Sequence, residues 1–274
     1  MSQGRTDTAA GGRLSHLLDS PVIGMSPWIA MSILVGPGRF ELAVAVALAL
    51  AVVIVIAGRI RRPGSSFKIL EIADVVFFAV MAVIGIFASP GTHRWLEDYS
   101  GEVASIALMA IALGSMACRV PFTLQYAREQ VPREFWGEPR FLRTNYYITG
   151  AWAAAFAVAA IAGAYGDLVL HNSHNPWTGW IIQIAAIIAA LQFTQWYPDV
   201  MRARSLRERG LPGPPEPPLS SLLIPLAGYL TPVGIVVLVS GAGPVWLGVA
   251  LIVLGIVLVK SLSRDKEAEP EVSR

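Results

Sequence analysis

Residues 119–152 read RVPFTLQYAREQVPREFWGEPRFLRTNYYITGAW and join two long apolar runs. The first part of this stretch carries arginines at 119, 128, 133, 140 and 143, with Phe122, Tyr126, Phe135, Trp136 and Phe141 between them. Pro121, Pro132 and Pro139 cut it into short pieces. Pro121 suits the first turn of a helix and Pro132 ends one, so the pattern predicts a short helix within 119–131. Phe122 and Tyr126 then lie one turn apart on a single face. Arginines on one side and rings on the other suit a membrane surface, where rings settle among headgroups and guanidinium groups meet phosphates. Arg119, Phe122, Tyr126, Arg128, Arg133, Phe135, Trp136 and Arg140 are the residues expected on that lipid or partner surface. A plainer reading stands beside it: a loop made basic only to fix membrane orientation.

Outside this stretch the chain is mostly apolar. Over 274 residues, 54% are hydrophobic and 15% charged, with a mean hydropathy of +0.57. A soluble domain carries nearer a quarter charged residues, so the composition predicts an integral, all-α, polytopic membrane protein. The lone cysteine, Cys118, excludes an intrachain disulfide. Residues 1–20 are polar and lack the apolar core of a signal peptide, so the first apolar segment is expected to stay in the mature protein.

About eight transmembrane helices are expected. The first segment, 21–35, is short and interrupted by Pro27. At about 1.5 Å per residue it barely crosses a hydrocarbon layer of about 30 Å, so it is expected to be broken, tilted or re-entrant. Further runs cover 41–57, 69–88, 102–118, 146–169 and 177–197, which makes a six-span core over 21–205. Residues 206–219 contain LPGPPEPP (211–218), a stiff linker in which no helix persists. A C-terminal hairpin over 220–262, read as an appended module, and a charged tail over 263–274 complete the chain. Residues 1–20 are expected to be disordered.

Of the 21 lysines and arginines, all but Arg39 and Arg94 fall at the termini or after even-numbered spans. That bias places both termini in the cytoplasm. Trp28, Trp95, Tyr99, Trp177, Trp180, Trp196, Tyr197 and Trp246 fall near span ends, as interface aromatics do.

Charged side chains at membrane depth are costly and are either paired or functional. Glu71 and Asp74 lie three apart near the start of the third span. Arg143, Asn145, Thr149, Gln192 and Gln195 belong to the same side by this topology, so together they form the candidate ligand or ion cluster. Hydrogen-bonded glue between helices is the competing reading. His171 and His174, with Asp167 and His93, sit on the opposite side in a turn-like context, and no metal site is expected. Ala151, Ala155, Ala159 and Gly163 form a small-residue stripe suited to close helix packing. No phosphate loop, nucleophile elbow or paired catalytic carboxylates occur, so neither enzymatic chemistry nor a cofactor is expected. The basic residues are spread over membrane-side loops, which offers nothing for nucleic acid.

The layout of residues 21–205 resembles the intracellular septation protein A family of bacterial inner-membrane proteins. The likeness rests on the short Pro-containing first segment, the basic 59–68 turn, the start at Trp95 and the Pro121-led basic stretch. Trp152 and Phe156, with three residues between them, begin a span like that family's Trp-x-x-Phe helix start, and Trp177 opens a last helix with a basic tail. Thr149 stands where that family tends to have Asn, and the hairpin after Pro218 has no counterpart in it. The resemblance implies a non-enzymatic protein of the bacterial inner membrane, associated with septation and wall-synthesis machinery. Its partners would be anionic lipid headgroups and other envelope membrane proteins. The alternative is a small transporter or channel using the polar cluster at the cytoplasmic ends of spans three, five and six.

Overall fold

A computed structural model describes residues 21–61, 68–172 and 175–268. Among these every regular element is helical. Among the described residues seven helices are long and apolar enough to cross a membrane: Phe40–Ile60, Ile69–Phe87, Pro90–Ala117, Pro139–Leu168, Trp177–Glu208, Leu219–Ser240 and Val245–Arg264. Their outward faces carry large apolar side chains, among them Ile86 at 74% exposure and Val239 at 83%. Apolar surface on that scale belongs in lipid, so the chain is a multi-pass helical membrane protein. The expected disorder of residues 1–20 falls outside the described residues.

The chain divides into two compact units, Met1–Thr149 and Gly150–Arg274. In the first unit the short opening segment is broken, as its length and Pro27 require. It forms α1 (Pro21–Gly24) and α2 (Ser26–Leu34). A turn through Gly38, whose φ of +70° suits glycine, leads into α3 (Phe40–Arg61), and α4 (Ile69–Phe87) follows. Residues 62–67 lie outside the described residues. Two contacts fix how the opening segment runs. A Cβ on Gly24 would sit 3.2 Å from Leu70, at the start of α4. A Cβ on Gly85, near the end of α4, would sit 3.3 Å from the ring of Phe40. Residues 24–40 therefore accompany α4 from one end to the other, and α3 returns antiparallel to it. Ala43, Ala47 and Ala51 are 0–2% exposed at four-residue spacing along α3, which lets neighbouring backbones approach closely.

Helix α5 (Pro90–Ala117) begins twelve residues before the apolar run that marks its membrane portion. Ser89 caps it by accepting from the Thr92 N–H at 3.2 Å, and Pro90 occupies the first turn, where its missing N–H costs nothing. The helix ends with Arg119 at φ +61°, and Val120 N–H bonds to Ser115 O at 2.9 Å. Glycine usually fills that left-handed position. Helix α6 (Phe122–Gln130) is the short helix expected between Pro121 and Pro132, and a 3-10 turn over Arg133–Phe135 follows it. The long α7 (Pro139–Leu168) contains the boundary between the two units.

In the second unit the inner part of α7 buries Trp152, Ala155, Phe156 and Ala159, so the expected small-residue stripe does pack internally. Trp152 Nε1–H donates to Thr194 Oγ1 at 3.0 Å, tying α7 to α8 (Ile182–Glu208), which a π-turn over Trp177–Ile181 precedes. The Pro-rich linker is extended and doubles back along α8. Trp196 Nε1–H donates to the carbonyls of Pro217 and Pro218 at 3.2 Å, and Arg204 binds Glu216 at 2.5 Å. The final hairpin is α9 (Leu219–Ser240) and α10 (Val245–Ala268). Gly234 and Gly248 set its closeness: a Cβ on Gly234 would lie 2.5 Å from the Gly248 carbonyl. The hairpin is not a free appendage. Trp177 donates to Ala242 O at 3.0 Å, Tyr229 to Ile181 O at 3.3 Å, and Ile181 shares a core with Val233 and Val237.

Candidate functional site

The polar centre of the first unit lies where α4 begins. Lys68 precedes the helix, and the Ile69 N–H donates to Gln125 Oε1 on α6 at 2.5 Å. Lys68 Nζ stands 3.5 Å from Glu71, 3.1 Å from Glu129 and 4.4 Å from the centre of the Tyr126 ring. It thereby joins α4 to α6. One turn deeper, Asp74 is 2% exposed. Its Oδ1 accepts from Trp28 Nε1–H at 2.7 Å, and the Trp28 ring packs on Phe77 and Phe78, with centroids at 4.5 and 4.9 Å. Trp28 belongs to α2, so this bond fastens the broken opening segment to α4.

Tyr126 completes the group. It is 3% exposed, and its hydroxyl has no hydrogen-bond partner among the described residues. The hydroxyl occupies space that only glycine leaves at position 24, since a Cβ there would approach to 2.5 Å. Burial, reinforced by the charges of Glu71, Asp74 and Glu129, holds the phenol well above its ordinary value, so it stays protonated.

A second polar group lies nearby in sequence on α6 and α7. Thr123 Oγ1 donates to the Asn145 carbonyl at 3.1 Å and lies 2.8 Å from Thr149 Oγ1. Asn145 Nδ2 donates to Phe141 O at 2.9 Å, while its Oδ1 is buried without a partner among the described residues.

These placements redistribute the residues expected to form one cluster. Glu71 and Asp74 are together, but Asp74 is held by Trp28, which sequence reasoning treated only as an interface aromatic. Asn145 and Thr149 pair with Thr123 instead of Asp74. Arg143 is exposed, and in the second unit Gln192 is partly buried and Gln195 exposed. Lys68, Gln125 and Tyr126 were missed as members of the site. Their signal was available in part: a lysine just before α4 and a Gln-Tyr pair on a short amphipathic helix.

The basic-aromatic stretch also needs correction. Phe122 and Tyr126 are 2% and 3% exposed, so they belong to the interior and not to a lipid-facing surface. Their face of α6 packs inward because the short helix lies against α4 and α5, where burial of two rings outweighs interfacial placement. The outward part is Arg119, Arg133, Phe135, Arg140 and Arg143. Trp136 anchors it, donating Nε1–H to Val131 O at 2.9 Å, with Arg128 and Arg133 at 5.3 and 5.5 Å from its ring centre.

His93 Nε2 lies 2.8 Å from the Gly85 carbonyl and 3.8 Å from Glu41, while His171 is exposed; His174 lies outside the described residues. Among the described residues no group of three His, Cys, Asp or Glu side chains is placed to hold a metal ion. No family model, curated protein or solved structure matches the chain.

Proposed function

We propose that this protein is a non-enzymatic membrane protein of the bacterial cell membrane that works through contacts made by its basic-aromatic stretch. It crosses the membrane eight times, with both termini in the cytoplasm. Residues 24–40 accompany α4 from Leu70 to Gly85, about 22 Å at 1.5 Å per residue, which supports counting the broken opening segment as a crossing. The charge bias then orients the basic ends inward.

The observation that carries the contact reading is Trp136 with Arg128 and Arg133 both against its ring, and Phe135 exposed beside it. Stacking leaves the guanidinium of the exposed Arg133 able to meet phosphate while the rings sit at the interface. The partner is an anionic lipid headgroup, alone or at the edge of another envelope membrane protein. The layout shared with the septation protein A family suggests the division and wall-synthesis machinery as that setting. The lock between Asp74 and Trp28 favours this reading over a small transporter or channel using the same carboxylate.

The test uses full-length protein in neutral detergent, melted with added phosphatidylglycerol or phosphatidylcholine. Phosphatidylglycerol alone should raise the melting temperature, and Arg133→Ala/Arg140→Ala should abolish the rise. An equal response to both lipids would refute the headgroup contact.

A further inference from the structure

We propose that the Pro-rich strap over 211–218 is a docking segment for a soluble protein module with an aromatic-lined groove and an acidic rim. Proline fixes φ near −65°, and the residue before a proline is pushed to extended values, so LPGPPEPP has little other backbone open to it. The strap reaches Pro218 at φ −68° and ψ 156°, near the polyproline II values of about −75° and +145°. That helix repeats about every three residues, so Gly213 and Glu216 share one face. This face is turned to α8: a Cβ on Gly213 would lie 2.5 Å from Leu206, and Glu216 is bound to Arg204. Pro212 and Pro215 share a second face and Pro214 begins the third; all three are exposed. Glycine therefore interrupts the prolines where the strap must touch the helix. What remains outward is a Pro-x-x-Pro pair, Pro212 and Pro215.

The far end of the strap shows what such an occupant supplies. There Trp196 donates its indole N–H to the Pro217 and Pro218 carbonyls, a ring donor reading polyproline backbone from within the chain. The carbonyls of Pro212, Gly213, Pro214 and Pro215 accept no hydrogen bond among the described residues, so the same kind of donor can reach them from outside. Aromatic grooves combine such donors with slots for the proline rings. The clamps to Trp196 and Arg204 hold the strap extended before binding, so little conformational freedom is lost when a groove closes on it. Charge narrows the partner further. Arg202, Arg207 and Arg209 are exposed along this end of α8, against Asp199 and Glu208, so carboxylates on the groove's rim complement it. The strap is a separate element from the Trp136 surface, and its partner is a protein, not a headgroup.

The probe is a panel of purified Src-homology-three domains, whose aromatic grooves read Pro-x-x-Pro. Each is titrated against full-length protein in neutral detergent and against a free peptide of residues 207–218. At least one domain should bind both, and Pro212→Ala/Pro215→Ala should weaken both by about tenfold or more, as loss of two anchor rings does. The melting temperature of the full-length variant should be unchanged, and the peptide arm reads the same loss without any demand on folding. A panel that binds neither peptide nor protein would overturn the proposal. So would domains that bind the peptide but not the protein, which would make the strap a closed brace on α8. Binding undiminished in the double variant would overturn it too, as would a strap shielded from protease by phosphatidylglycerol vesicles and by no domain.

Discussion

Tyr126 and Gly24 show how much one missing Cβ can decide. The phenol reaches its buried position because residue 24 has no side chain, and the ring in turn roofs the Lys68 ammonium at 4.4 Å. Gly24→Ala should therefore destabilise the protein by about 1–3 kcal/mol, as overpacking does. Tyr126→Phe removes the clashing oxygen and should recover part of that loss in the double variant. Thermal unfolding of the two single variants and the double variant measures the coupling, and strictly additive effects would contradict the contact. Trp28→Phe tests the other bond: it keeps the aromatic packing and deletes the donor to Asp74. It should cost about 1–3 kcal/mol, since a buried acceptor is left unsatisfied. A stability equal to wild type would mean that the bond contributes nothing.

At the scale of elements, the last hairpin is packed by backbone proximity and anchored to the helix before it. Gly234→Ala would press a methyl group against the Gly248 carbonyl, which has no rotamer to give. The expected outcome is a helix pair forced apart and a cost of about 1–3 kcal/mol, read by thermal unfolding. Truncation at Arg209 removes the partners of Trp177, Ile181 and Trp196, so it should yield a less stable protein and not an intact core. A truncated form melting at the wild-type temperature would restore the view of the hairpin as an appendage. The linker adds a pH dependence. Its hydrogen bond with Arg204 holds the partly buried Glu216 carboxyl below its ordinary value. Because the folded-state value is depressed, the clamp is present above the unfolded value and is lost as pH falls through the folded one. Protease cleavage within 211–218 should rise on acidification, and Glu216→Gln should raise it at neutral pH and remove the dependence.

For the molecule as a whole, the parity of crossings decides what faces the cytoplasm. Reporter fusions at residues 64, 137 and 274 should report the cytoplasm, and those at 97 and 173 the outside. A fusion before Pro21 is the discriminating one. A cytoplasmic signal there counts the opening segment as a crossing, whereas an external signal leaves seven and puts the termini on opposite sides.

The sequence by itself determined the apolar spans, the broken opening segment and the short helix between Pro121 and Pro132. Hydropathy and proline act within a few residues of where they stand, so these features survive any tertiary arrangement. The early start of α5 was legible too, in Ser89-Pro90, but its charged first turns hid it from an apolar-run reading. Tertiary structure alone decided which side chains meet. Helices that are apolar nearly all round carry no stripe to declare their inward face. Sequence could place Asp74 at membrane depth, yet only packing chose Trp28 over Asn145 or Thr149 as its partner. Packing likewise turned Phe122 and Tyr126 inward, away from the lipid that their spacing with arginine suggested. The division at Thr149, inside a continuous helix, had no local signal, because it depends on which neighbours each half of α7 packs against.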